Sequence, residues 1–138
     1  MKICIVIANY YPNISNNLLG SAVNLLKIKG YKNLSKIFVP GIFEIPFVIS
    51  KNIKKYNAFI ALGCVIKGKT PHFDFISHAT TNAIMQLSIT SKKPIGNGII
   101  TCLNKKQAYE RSTGKRNKGV EATKAILAVM SAIKNEKK

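Results

Sequence analysis

From Lys2 to Ala8 the chain reads Lys-Ile-Cys-Ile-Val-Ile-Ala, a continuous apolar run rich in β-branched residues. A strand wetted on one face alternates in polarity; an unbroken run predicts a strand buried on both faces, as in a parallel sheet. Asn9-Tyr10-Tyr11-Pro12-Asn13 follows as a turn cluster. Ser15 can cap a helix whose apolar positions, Leu18, Leu19, Ala22, Val23, Leu25 and Leu26, recur at helical spacing, and Gly30 ends it. Ser35–Val39 reads as a second strand. Pro40 and Gly41 force a tight turn, and Pro46 is tolerated only at the start of a second helix, which should run to about Lys55. Ala58–Leu62 is a third strand. A long helix is expected from His72 to Ile89, with Phe75, Ile76, Ala79, Ala83, Ile84 and Leu87 facing inward. Ile95–Leu103 is a fourth strand, in which Gly96 and Gly98 suggest close approach by another backbone or a ligand. Asn104 can cap a short helix to Arg111. The cationic loop Ser112–Asn117 leads to a last helix from Lys118 to about Lys134, with Ala122, Ala125, Ile126, Val129 and Ile133 on its apolar side.

Strand and helix alternate throughout, with no repeat and no linker. Right-handed crossovers then give an α/β three-layer sandwich, a parallel sheet with helices on both faces, in one domain over residues 1–138. In such sheets ligands bind beyond the carboxyl ends of the strands. Asn9–Tyr11, Gly41–Glu44, Cys64–His72 and the end of the fourth strand are expected there, so four segments distant in sequence converge on one rim.

Composition narrows the picture. No apolar run approaches the roughly 20 residues that span a bilayer, and the apolar start is short for a signal peptide, so a cytoplasmic protein is expected. Cys4, Cys64 and Cys102 are an odd number without CxxC spacing, and each lies in or beside an apolar run, which suits small buried hydrophobes rather than a disulfide framework or a metal site. The formal net charge of +17 raises nucleic-acid binding. Against it, Arg111 and Arg116 are the only arginines, whereas base readout and phosphate forks favour Arg. The charge should draw anionic small molecules, less strongly as salt rises.

Candidate chemistry centres on Gly63–Ser77. A strand end, a loop carrying Gly68, Lys69 and Thr70, and a helix start near Pro71 and His72 together build an anion site, because unpaired N–H groups and the helix dipole point at the loop. Lys69 adds charge and Thr70 a hydroxyl donor. His72 stands at the edge, able to accept and donate protons near neutrality. The same order of residues also fits a plain strand-to-helix turn with one surface histidine.

Three segments carry a resemblance: Val39-Pro-Gly-Ile-Phe-Glu-Ile-Pro46, Ala61-Leu-Gly-Cys-Val-Ile-Lys-Gly-Lys-Thr-Pro-His-Phe-Asp74 and Asn117-Lys-Gly-Val-Glu-Ala122. With them the chain resembles the lumazine synthases of riboflavin biosynthesis over nearly its whole length. The resemblance implies a four-stranded sheet in flavodoxin-like order. It also implies a condensation of 5-amino-6-(D-ribitylamino)uracil with 3,4-dihydroxy-2-butanone 4-phosphate, giving 6,7-dimethyl-8-ribityllumazine, phosphate and water without metal or cofactor. It implies a homopentamer, in many members a 60-subunit icosahedral shell, with sites between subunits and riboflavin synthase as a partner. From the composition, neither a membrane nor nucleic acid is expected as a partner.

Carried over residue by residue, the resemblance makes Tyr10 the aromatic that stacks on the pyrimidine. It makes Ile42, Phe43 and Glu44 the segment holding the ribityl chain, and Cys64, Val65 and Ile66 the strand end that meets the pyrimidine through backbone groups. Lys69, Thr70 and Arg111 then bind phosphate, His72 transfers protons, Lys118 is a further cation, and Glu121 is an acid that orients His72. The aromatic, Glu44 and the phosphate loop then come from one chain and residues near Asn97 and Arg111 from the next, and Asn97 stands where many members have Phe. Pro71 stands where a Thr or small residue is common, and the loop 112–117 is one residue shorter than in some members. The chain starts almost at its first core strand, so the family's N-terminal strand, which can add to a neighbour's sheet, is expected to be missing. A flavodoxin-like flavin or nucleotide carrier without catalysis would share the sheet and the loop; a proton-transfer group beside Phe43 and Glu44 is what it would not need.

Overall fold

The computed structural model describes residues 1–136. The elements are β1 (Ile3–Ala8), α1 (Pro12–Ile28), β2 (Leu34–Val39), a 3-10 turn (Ile42–Glu44) running into α2 (Ile45–Lys51), β3 (Ala58–Ile66), α3 (His72–Ser91), β4 (Ile95–Cys102), α4 (Lys105–Ser112), a second 3-10 turn (Gly114–Arg116) and α5 (Lys118–Glu136). The sheet is all parallel, in the order β2-β1-β3-β4. This is the three-layer sandwich that the alternation of patterns predicts, in the flavodoxin-like order that the resemblance implies.

Every residue of β1 is buried, as its unbroken apolar run requires. Odd and even positions serve different layers. Ile3, Ile5 and Ile7 pack with Leu18, Ala22 and Leu26 of α1 and Ala122 and Ile126 of α5. Cys4, Val6 and Ala8 pack with Ile45 and Ile49 of α2 and Ile84 of α3.

Several boundaries differ from the sequence reading, each for a local reason. Helix α1 starts at Pro12, with Tyr11 before it. Ser15 does not cap the helix: its buried Oγ donates to the Ala8 carbonyl, 2.6 Å away, and ties α1 to the end of β1. Strand β3 continues past Leu62 to Ile66, so Gly63 and Cys64 are strand residues. A Cβ on Gly63 would stand 2.9 Å from Ile42 and 3.0 Å from Ala8, so the glycine serves close packing within the sheet rather than a turn. Helix α2 ends at Lys51, short of Lys55. At Gly96 the α5 backbone excludes a side chain, with Ala122 O 2.7 Å from a Cβ there; at Gly98 it is β3 that does so, with Ala61 O 3.0 Å from a Cβ and the Leu62 side chain closer still.

The apolar stripe of α3 also lies differently. Thr80 and Ile84 are buried and Ile76 and Leu87 half-buried, whereas Phe75 and Ala79, expected inward, are exposed, along with Met85 and Ile89. On α5, Ala122 and Ile126 are buried, but Ala125, Val129 and Ile133 face outward. Both helices thus carry a second apolar face that their own sheet does not cover. No helix among the described residues is long and apolar enough to cross a membrane.

Candidate active site

At the carboxyl ends of β1 and β3 a cavity of about 240 Å³ is lined by Tyr10, Tyr11, Gly41, Ile42, Cys64, Val65, Ile66, His72 and Ile76. A second hollow of about 580 Å³ adjoins it across Tyr10, Gly41 and His72, and adds Phe43, Glu44 and Phe75. Tyr10, Ile42, Phe43, Glu44, Cys64, Val65, Ile66 and His72 are therefore gathered around one continuous space by three separate strand ends.

Local chemistry explains each position. Tyr10 is 72% exposed and stands edge-on to Tyr11, with ring centroids 4.9 Å apart. An aromatic face left open to solvent and braced by its neighbour is prepared for a flat ligand. Glu44 turns back so that its Oε1 accepts the Gly41 N–H at 2.9 Å, which closes the 3-10 turn and leaves the rest of the carboxylate as an acceptor toward the cavity. His72 is the first residue of α3, and its N–H reaches the Thr70 hydroxyl at 3.4 Å. Lys69 and Thr70 are exposed on the loop 67–71 and line neither hollow.

Cys64 is buried beside Cys102, and burial, with Cys102 as a lesser contributor, pushes its thiol up to about 12. Burial also raises Cys102, while the Arg111 guanidinium, with Nη1 4.0 Å from Sγ, works in the other direction. A thiol protonated throughout the physiological range is neither nucleophile nor proton shuttle. Cys64→Ala is accordingly expected to keep turnover within about threefold, and the native thiol to resist iodoacetamide at pH 8 until the chain unfolds; steady-state kinetics and intact mass check both.

Asn97, Arg111, Lys118 and Glu121 are elsewhere. With Thr101, Lys115 and Arg116 they line a cavity of about 530 Å³ along the β4 edge, which shares no residue with the hollow around His72. Arg111 Nη1 donates to the Thr101 carbonyl at 3.1 Å, and Lys118 Nζ donates to Glu121 Oε1 at 2.8 Å. Four cations face one carboxylate, so this wall suits an anion with several oxygens. Within one chain Glu121 is paired with Lys118 and is not beside His72.

The sequence places Tyr11 and Gly41 on the rim without a chemical role there, and gives no site role to Ile76, Lys115 or Arg116. Tyr11 was available from its place beside Tyr10. Lys115 and Arg116 were available from their position just before the Asn117-Lys118-Gly119 motif.

A family model described as 6,7-dimethyl-8-ribityllumazine synthase matches residues 1–134. A 6,7-dimethyl-8-ribityllumazine synthase of Buchnera aphidicola subsp. Baizongia pistaciae is 46% identical over 139 residues, spanning 96% of this chain and 87% of its own length. A 6,7-dimethyl-8-ribityllumazine synthase 1 of Rhodopseudomonas palustris is 41% identical over 137 residues, spanning 94% and 83%. One from Cutibacterium acnes is 35% identical over 136 residues, spanning 96% and 82%. Identity at this level along nearly the whole length, on a fold whose strand ends gather the motif residues, makes the chain a member of the 6,7-dimethyl-8-ribityllumazine synthase family.

Proposed function

We propose that the hollow around His72 and the cationic cavity around Arg111 are two halves of one active site, joined when neighbouring copies of the chain associate. There the enzyme condenses 5-amino-6-(D-ribitylamino)uracil with 3,4-dihydroxy-2-butanone 4-phosphate. The observation that carries this reading is the separation of the two cavities: aromatic, carboxylate and imidazole groups lie around one, and the guanidinium and ammonium groups around the other. The apolar faces left open on α3 and α5 support association, since such patches mark contact surfaces.

In this arrangement Tyr10 stacks on the pyrimidine, and the backbone of Cys64, Val65 and Ile66 meets its edge. Ile42, Phe43 and Glu44 hold the ribityl chain. Lys69 and Thr70 meet the phosphate together with Arg111 and Lys118 of the neighbouring copy, whose Asn97 closes the pyrimidine side and whose Glu121 orients His72. The pyrimidine's amine attacks the ketone, water leaves and an imine forms. Phosphate is then eliminated, the ring closes and a second water is lost. His72 moves protons in these steps, while holding two substrates together supplies much of the rate. The assembly is a pentamer or a 60-subunit shell, which native mass spectrometry separates by mass, and riboflavin synthase, which consumes the product, is its partner.

Mixed subunits test the shared site. His72→Ala and Arg111→Ala proteins, each impaired alone, are dissociated together and reassembled. At equal mixing about a quarter of the interfaces join one intact half to another, so lumazine absorbance should reappear at about a quarter of the native rate. No recovery in verified mixed oligomers would mean that each site is built within one chain.

A further inference from the structure

We infer that Asn117 is a positioning residue for the phosphorylated substrate, holding the cationic wall in place from behind. This inference rests on the reading of that wall as the phosphate site.

The Asn117 side chain is buried, at 4% exposure, where α1, the end of α4 and the start of α5 meet. An amide offers two N–H donors and one oxygen with two lone pairs, and all of them are used. Oδ1 accepts the N–H groups of Gly119 at 2.8 Å and Val120 at 3.2 Å, which caps α5. Nδ2 donates to the Ser112 carbonyl at 2.6 Å and to Ser21 Oγ at 3.0 Å, with the Asn17 carbonyl at 3.5 Å.

The two ends of this amide do different things. Capping needs only the oxygen, and Asp, Ser or Thr would supply one. The nitrogen holds the last residue of α4 and fastens it to α1. Arg111 immediately precedes that tied point, Lys115 and Arg116 lie in the short segment between it and Asn117, and Lys118 follows. The cationic wall therefore hangs on one buried side chain that does not itself line the cavity. A guanidinium fork tolerates little displacement before one of its two bonds to a phosphate is lost.

Asn117→Asp separates the two roles, because it keeps the capping oxygen and loses the donor. Kinetics are measured on the assembled protein, and Asn117→Ser, whose hydroxyl can cap α5 without adding a charge, must raise the same constants, because a carboxylate buried at this position is little screened by salt. The KM for the phosphorylated substrate and the inhibition constant of inorganic phosphate should each rise about tenfold, while the KM for the pyrimidine stays within about twofold. Ser21→Ala, which removes one acceptor on α1, should raise the phosphate constants about threefold. If Asn117→Asp fails to fold, Ser21→Ala decides alone. A lowered melting temperature with unchanged phosphate constants would reduce Asn117 to a purely structural residue and overturn the inference. Arg111→Gln is the control: if it leaves the phosphate constants unchanged, the reading of the wall has failed; if it raises them and Asn117→Asp does not, only the inference about Asn117 has failed.

Discussion

His72→Ala is expected to lower kcat about 10²-fold while leaving the KM of each substrate within a few-fold. His72 is placed for this by its backbone. It opens α3, its N–H is tethered to Thr70, and it lines both adjoining hollows between Tyr10 and Gly41. General acid–base catalysis contributes roughly 10²–10⁴-fold, and the lower end is the better expectation here for two reasons. The amine and the ketone are reactive partners without help, and the phosphate departs as a stable anion that needs no proton from the protein. The imidazole is also exposed, so water can take over part of its work in the variant. Steady-state kinetics with both substrates varied is the measurement. An unchanged kcat would remove His72 from the chemistry. A loss beyond about 10⁴-fold with the fold intact would mean that it does more than move protons.

Much of this arrangement is legible in the residues, and the limits have physical causes. The run Ile3–Ala8 specifies a strand buried on both faces because no polar residue interrupts it, and the structure buries all six positions. The rim follows from connectivity, since in a parallel sheet all strands end on the same side. That logic alone brings Tyr10, Glu44, Cys64 and His72 together. Connectivity alone does not place Arg111 and Glu121, because β4 is an edge strand and says nothing of what stands beside it; that Arg111 serves a neighbouring copy is an expectation only the resemblance supplies. The stripes on α3 and α5 were misassigned for a related reason. Phe75 and Val129 have the spacing of core residues, and periodicity cannot tell a face that meets its own sheet from one that meets another surface. The role of Ser15 was missed because its hydroxyl answers a carbonyl on β1, a partner that only the packed fold supplies.

Gly96→Val should destabilise the protein by about 2 kcal/mol, although valine is by far the better strand residue. The two effects oppose each other and their sizes decide the sign. Strand preference spans about 1 kcal/mol and favours the variant. Against it, a Cβ at position 96 would stand 2.7 Å from the Ala122 carbonyl oxygen and 3.0 Å from Ile126 Cγ2. The oxygen belongs to the backbone of α5 and cannot rotate away as a side chain would. To relieve the contact, α5 must lift off β4, which loosens Ala122 and Ile126 from the buried layer they share with Ile100 and Leu62. Overpacking of this kind costs about 1–3 kcal/mol, with the upper end expected where backbone meets backbone, and valine adds two methyls to the Cβ. The same displacement would carry Lys118 and Glu121, at the start of α5, away from Arg111 on α4. The variant should therefore lose affinity for the phosphorylated substrate as well as stability. Urea denaturation followed by circular dichroism gives the first quantity and the KM of that substrate the second. Stability equal to the native protein would show that α5 packs on β4 less closely than these distances require.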